Sequence, residues 1–377
     1  MKIAMLTTVG ERCGIASYSA QLVASLRALP DTDVQVVPID VGEQPDAHYE
    51  EQARRLNAPD VDVVHIQHEF SFWGFPSPGH SKFAELRQQI RRPVVLTAHT
   101  TLSLSAIFPT RTERNPLRWL WKKRILANHD YRRSVELETF DADATIVHTE
   151  AAQAEFAGRG LKQERLFVVP MGIPAPLPPS GSFRERHGLG GKRVLTLFGY
   201  VTPNKGYELV LESLRTLPRD VVFVIAGGSR RPVEEPYLER LQRRIAALRL
   251  QDRVVVTGYL SEAEVAGAMQ ATDLALVPHT QATNSYSVTL PVSHGRPTLA
   301  SDLACFREMA ERGACLELFE NRNKHDFRRK LRALLDDPRR REELADHAAR
   351  YAERFTWGHI AAATRDIYRA AIDNRRS

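Results

Sequence analysis

The chain has 377 residues, 43% of them hydrophobic and 26% charged, and carries a formal net charge of +6. That length is too great for one ordinary core and predicts two domains of a soluble globular protein; a disordered chain is excluded by the apolar content, and no apolar run is long enough to span a bilayer. The positive balance favours anionic partners such as nucleotides, phosphates or acidic lipid surfaces, while no basic and aromatic module of the RNP1 type points to nucleic acid.

The chain opens directly on a strand, Lys2-Ile3-Ala4-Met5-Leu6, with no signal-peptide pattern, so a cytoplasmic protein is expected. Its three cysteines, Cys13, Cys305 and Cys315, lack metal-ligand spacing and read as reduced thiols. Strand-like runs recur at 3–8, 34–39, 61–67, 94–98, 144–148 and 166–170, with helical patterns between most of them. Such alternation predicts right-handed crossovers and a parallel sheet covered on both faces.

After the first strand, Gly10 and Gly14 bracket a loop that runs into a helical stripe through Ile15, Tyr18, Leu22 and Leu26. The spacing is not that of the dinucleotide fingerprint. Two readings fit: glycines serving turn geometry, or a helix N-terminus brought close to an anion. Two histidine clusters, His65-Ile66-Gln67-His68-Glu69 and Thr97-Ala98-His99-Thr100, end their strands, where open α/β sheets gather ligands. The first is not a zincin pattern, and its His65 is expected to be buried with a satisfied ring. His99 is the stronger functional candidate. Three D-x-D triplets, at 31–33, 60–62 and 141–143, each precede a strand and read as strand-entry turns, not metal sites.

Residues 111–133 carry eight arginines or lysines against Glu113 and Asp130, with Trp119 and Trp121 among them. This is either a solvated helix docking its tryptophans on its own domain or a helix making peripheral contact with an anionic membrane surface. Residues 171–182, with four prolines and two glycines and no period, read as a linker.

A second strand–helix series follows at 194–198, 221–226, 254–257, 274–278 and 298–300, so the expected architecture is two Rossmann-like α/β domains. The stretch VLTLFGYVTPNKG, from Val194 to Gly206, gives a strand, a loop and a helix start bearing Lys205. Backbone N–H groups and the positive helix end favour an anion there, and a phosphate fits. An ordinary turn with a solvated lysine is the other reading of that segment. The last segment is amphipathic through Ile360, Ala363, Ile367 and Ala370 and predicts a docked helix. The expected boundaries are 1–175, 176–356 and a C-terminal helix over 357–377 that docks back on the first domain.

Taken in order, CGIASYSAQLVASL, VVHIQHEF, VVLTAHTT, VVPMGIP, FGYVTPNKGYELVLESL, VVFVIAGG, VVVTGYLSEAEV, ATDLALVPH, HGRPTLASDLACFREM and FTWGHIAAATRDIYR resemble the retaining GT-B glycosyltransferases of the family 4, or "glycosyl transferases group 1", type. The resemblance implies a central cleft between two facing domains, the acceptor held by the first and the nucleotide-sugar by the second. It implies roles for particular residues. Lys205 matches the lysine on the donor diphosphate, Gly14 the glycine loop near the distal phosphate, and His99 a histidine near the donor sugar. Gly199 ends the donor-domain strand, while Gly227, Gly228, Tyr259 and Leu260 lie where the base binds. Asn284, Ser285, Tyr286 and Ser287 open a phosphate-binding helix, and His68 and Glu69 face the acceptor side.

Two departures from the pattern stand out. Tyr200 occupies the place of an arginine, and Ala282 and Leu290 occupy the places of two glutamates eight residues apart. Pro291 also interrupts that helix and predicts a kink. The implied activity is transfer of a hexose from a UDP- or GDP-linked donor with retention, without metal and without a further cofactor. The competing reading is a catalytically degenerate nucleotide- or sugar-binding protein on the same fold. A nicotinamide-dependent enzyme is disfavoured, because no G-x-G-x-x-G follows a strand.

Overall fold

A computed structural model describes residues 1–10, 13–73, 81–101, 117, 120, 124, 138, 141–178, 182–229 and 235–376. The chain divides into two compact units, Met1–Pro170 with Trp357–Ser377, and Met171–Thr356.

The first unit begins β1 (Lys2–Thr7), α1 (Gly14–Arg27), β2 (Asp33–Pro38), α2 (Asp46–Leu56), β3 (Val63–His68), α3 (Lys82–Gln89) and β4 (Val94–Ala98). It continues through β5 (Ala144–Val147), α4 (Glu150–Gly158) and β6 (Leu166–Val168). The strands form one parallel sheet in the order β2-β1-β3-β4-β5-β6. β3, β4 and β5 are buried along their whole length, as expected of strands covered on both faces. Ile66, Leu96 and Val147 from the sheet pack with Leu56, Phe83 and Phe156 from the helices in one apolar cluster.

The second unit contains α5 (Phe183–Arg186), β7 (Arg193–Phe198), α6 (Tyr207–Leu214), β8 (Val221–Ala226), α7 (Glu235–Ala247) and β9 (Val254–Val256). There follow α8 (Glu262–Ala271), β10 (Leu274–Val277), α9 (Tyr286–Ser293), β11 (Thr298–Ser301), α10 (Ala304–Gly313), β12 (Glu317–Phe319), α11 (Lys324–Asp336) and α12 (Pro338–Arg354). Its parallel sheet has the order β12-β11-β10-β7-β8-β9. The chain lays β8 and β9 on one side of β7 and then reverses to place β10 on the other. Doubly wound sheets bind ligands at the carboxyl ends of the strands where the order reverses, which here is beside β7 and β10. The last helix, α13 (Trp357–Arg376), belongs to the first unit, where it packs along α1 and reaches β4.

The helix starts follow local chemistry. Ser81, Thr149, Ser182, Ser261, Asn323 and Asp337 cap α3, α4, α5, α8, α11 and α12 with their side-chain oxygens. The three D-x-D triplets stand at strand entries. Asp62 accepts the Lys2 amide at 2.7 Å, Asp143 accepts the Val94 amide at 2.7 Å, and Asp60 pairs with the Lys2 ammonium.

Candidate functional site

At the reversal point of the second unit, the loop after β7 is shaped by contacts that only glycine permits. Gly199 has φ +112°, and a Cβ built there would collide with the Lys205 ammonium. Gly227, at φ +156° after β8, lies so close to Gly199 that a Cβ would run into the Gly199 carbonyl. Gly206, at φ +78°, caps α6 in the left-handed region and presses on the Pro278 carbonyl after β10. The three glycines therefore draw the ends of β7, β8 and β10 together with Lys205 in their midst. Gly228 is nearly as close to the loop beyond β9, where a Cβ would lie 3.3 Å from the Tyr259 amide nitrogen.

Lys205 is half-buried and donates to the Phe198 carbonyl at 3.2 Å. Burial pushes its ammonium down to about 8, and among the described residues no carboxylate offsets that shift. His279, the second residue beyond β10, is 3% exposed. Its imidazole is held down to about 3 by burial and by the Lys205 charge. The His279 carbonyl accepts from Ser301 Oγ at 2.6 Å, and its Nε2 lies 3.4 Å from Ser287 Oγ in the first turn of α9. Ser287 Oγ in turn lies 2.7 Å from Ser285 Oγ. The next loop is pinned by the Thr280 amide, which donates to Asn204 O at 2.8 Å. A cation desolvated without a counter-charge among the described residues, beside an eight-residue helix start, has the charge and amide donors that an anion requires.

The structure thus brings together Gly199, Lys205, Gly227, Ser285 and Ser287, and it adds His279, which the sequence reading passed over. The signal was available: His279 follows the end of a strand, the same placement that singled out His99. Leu260 packs against the apolar cluster of Val222 and Val224, while Tyr259 is 62% exposed. Tyr286 opens α9, and burial raises its phenol. Asn284 is half-buried just before it. Ala282 packs on the apolar cluster of Val288 and Phe306, and Leu290 is half-buried on α9, which runs through Pro291 to Ser293.

In the first unit His99 is 7% exposed, and its Nε2 donates to Gln67 Oε1 at 2.8 Å. Its ring packs edge-on against Tyr18 at 4.9 Å and tilted against His148 at 5.3 Å. Burial first, then the neighbouring histidines, hold it well below its ordinary value. His65 is fully buried, with Nδ1 bonded to Tyr368 Oη at 2.5 Å and Nε2 to Thr97 Oγ1 at 2.7 Å. His68 stacks on Trp73, and its Nε2 donates to Glu138 at 3.2 Å. Glu69 accepts from Thr100 Oγ1. Gly14 opens α1 without a positive φ, and a Cβ there would meet nothing within 4 Å. Among the described residues, neither packing nor backbone demands a glycine at that exposed helix start. The basic segment 111–133 lies outside the described residues except for Leu117, Leu120 and Arg124, which are exposed.

Comparison with known proteins bears on this arrangement. The profile of "Glycosyl transferases group 1" matches residues 181–353, and that of "Glycosyltransferase Family 4" matches residues 45–175. A D-inositol 3-phosphate glycosyltransferase of Kineococcus radiotolerans is 27% identical over 256 residues, 62% of this chain and 58% of its own length. An MMP alpha-(1->4)-mannosyltransferase of Mycolicibacterium hassiacum is 26% identical over 289 residues, 74% of this chain and 66% of its own length. The chain thus spans less than two thirds of the length of either relative. Among solved structures, HepE of Anabaena in complex with UDP-glucose superposes with a TM-score of 0.75 at 18% identity, covering 97% of this chain and 98% of HepE. Two matched family profiles spanning most of the sequence, on two parallel six-stranded sheets of this topology, establish that the chain belongs to the GT-B glycosyltransferases of the family 4 type.

Proposed function

We propose that this chain transfers a hexose from a UDP- or GDP-linked donor to an acceptor hydroxyl with retention of anomeric configuration, the donor diphosphate lying against Lys205 and the start of α9. The observation that carries this reading is the Lys205 ammonium, desolvated with no carboxylate partner among the described residues, amid glycines that admit close approach of a ligand. In the reaction the bond between the sugar C1 and the phosphate oxygen breaks, and its electron pair stays on the diphosphate. The acceptor oxygen forms the new bond to C1 on the same face and gives its proton to the departing phosphate. Negative charge on the diphosphate grows as the sugar leaves, so a fixed ammonium and helix-start amides stabilise the transition state more than the ground state. No protein base is required in this scheme, and none of the D-x-D triplets contributes a metal.

The test is a panel of UDP- and GDP-sugars against candidate acceptors, with the anomeric configuration of the product read by proton NMR. An α-linked donor giving an α-linked product supports the reading, and an inverted product sinks it. Loss of turnover in EDTA with recovery on Mg²⁺ or Mn²⁺ would overturn the metal-free scheme. One observation favours binding without transfer: Ala282 packs into an apolar cluster and offers no oxygen to a sugar hydroxyl. Nucleoside diphosphate binding with no turnover of any donor would support that second reading.

A further inference from the structure

Ser285 occupies the N-cap of α9, yet its side chain makes no capping bond. A serine in that position ordinarily accepts an N–H from the first turn, as Ser81 and Ser261 do in this chain. Ser285 Oγ instead lies 2.7 Å from Ser287 Oγ, which lies 3.4 Å from His279 Nε2. Ser287 and His279 are both buried, so this chain of contacts is fixed by packing and not by solvent. At its far end the Lys205 charge acts on the His279 ring, and among the described residues no carboxylate does so. The same serine can cap its helix or leave the amides to a ligand, but not both.

We propose that His279 is a positioning residue for donor binding: through Ser287 it draws Ser285 Oγ off its own helix and keeps the Tyr286 and Ser287 amides at the start of α9 open to a diphosphate, the Val288 amide donating at 3.3 Å to the Ser285 carbonyl. The proposal rests on the reading of the Lys205 surroundings as a donor site. It predicts competition. Without the imidazole, Ser285 returns to its capping position, the ligand-free protein gains a hydrogen bond, and an incoming diphosphate must displace it. A cap of ordinary strength corresponds to about a threefold to thirtyfold loss of affinity.

The experiment is calorimetric titration of UDP and of GDP into the full chain and into His279→Phe, Ser287→Ala, and His279→Phe combined with Ser285→Ala, with unfolding midpoints measured in parallel. The expected result is about threefold to thirtyfold weaker binding in His279→Phe and in Ser287→Ala, at ligand-free midpoints equal to or above that of the unmodified chain. Adding Ser285→Ala to His279→Phe removes the competing cap and restores the affinity, an outcome that a purely structural histidine does not produce. Unchanged affinity in Ser287→Ala, or no restoration by Ser285→Ala, overturns the proposal while leaving the donor site intact. Failure of the unmodified chain to bind either nucleotide overturns the donor reading and this inference with it. Should His279→Phe not fold, Ser287→Ala with and without Ser285→Ala carries the same comparison.

Discussion

Lys205 is the residue whose chemistry is most exposed to test. Its ammonium is desolvated in the ligand-free protein, so Lys205→Ala costs the fold little and leaves the unfolding midpoint unchanged or raised. Charge-assisted hydrogen bonds to a diphosphate contribute on the order of 1.5–3 kcal/mol, so the affinity for the cognate nucleoside diphosphate falls about tenfold to hundredfold. The pH dependence has a definite sign. The charged form binds the anion, and the free protein releases that proton at about 8, so affinity is steady from pH 7 to near 8 and weakens above it. Lys205→Ala abolishes that alkaline limb. In the absence of ligand the unfolded chain holds this proton more firmly than the folded one, so the Lys205 contribution to stability rises with pH between about 8 and the ordinary lysine value. Calorimetric titration from pH 7 to pH 10 checks both statements, and a flat profile in the unmodified chain would remove Lys205 from the anion site.

At the scale of the elements, the site depends on how closely the ends of β7, β8 and β10 approach, and three glycines set that approach. Gly206→Ala combines a positive φ with collision against the Pro278 carbonyl, which is backbone and cannot rotate away. The expected loss is about 1–3 kcal/mol or more, read as a lower midpoint together with weaker nucleotide binding. At Gly199 the colliding atom is the mobile end of Lys205. Gly199→Ala therefore displaces the ammonium and also strains a backbone at φ +112°, so it lowers both nucleotide affinity and the unfolding midpoint. Lower midpoints at both positions with unchanged nucleotide affinity would show that the loop is only a turn. Gly14 differs in kind, since nothing in its backbone or among the described residues around it excludes a side chain.

Over the whole molecule, buried neutral imidazoles tie stability to pH. Burial holds His65 and His279 at about 3 and His148 at about 4, below the ordinary histidine value. Between that ordinary value and the folded one, the unfolded chain binds protons that the folded chain refuses, so stability falls as pH falls from about 6.5 toward 4. Each histidine contributes a slope of at most about 1.4 kcal/mol per pH unit in that window. Urea midpoints measured from pH 7.5 to pH 4.5 report it, and His148→Gln should flatten the profile. An equal slope in that variant would assign the acid sensitivity to other groups.

The sequence by itself determined the two Rossmann-like sheets, because strands buried on both faces must be written as unbroken apolar runs and helices as periodic ones. It also determined the strand–loop–helix start at Lys205, since glycine, lysine and a helical stripe follow one another there. It placed the C-terminal helix on the first unit, but it could not pair Tyr368 with His65, whose Nε2 meets both Thr97 Oγ1 and Gln67 Nε2 in a hydrogen-bond chain that Gln67 carries on to His99. That chain joins residues as many as 303 positions apart, and no local pattern encodes such a pairing. The placement of His279 after a strand was legible, but its contact with a serine eight residues on was not. Periodicity records which face of an element is buried; only the strand order, which puts β10 beside β7, decided which polar groups meet at their carboxyl ends.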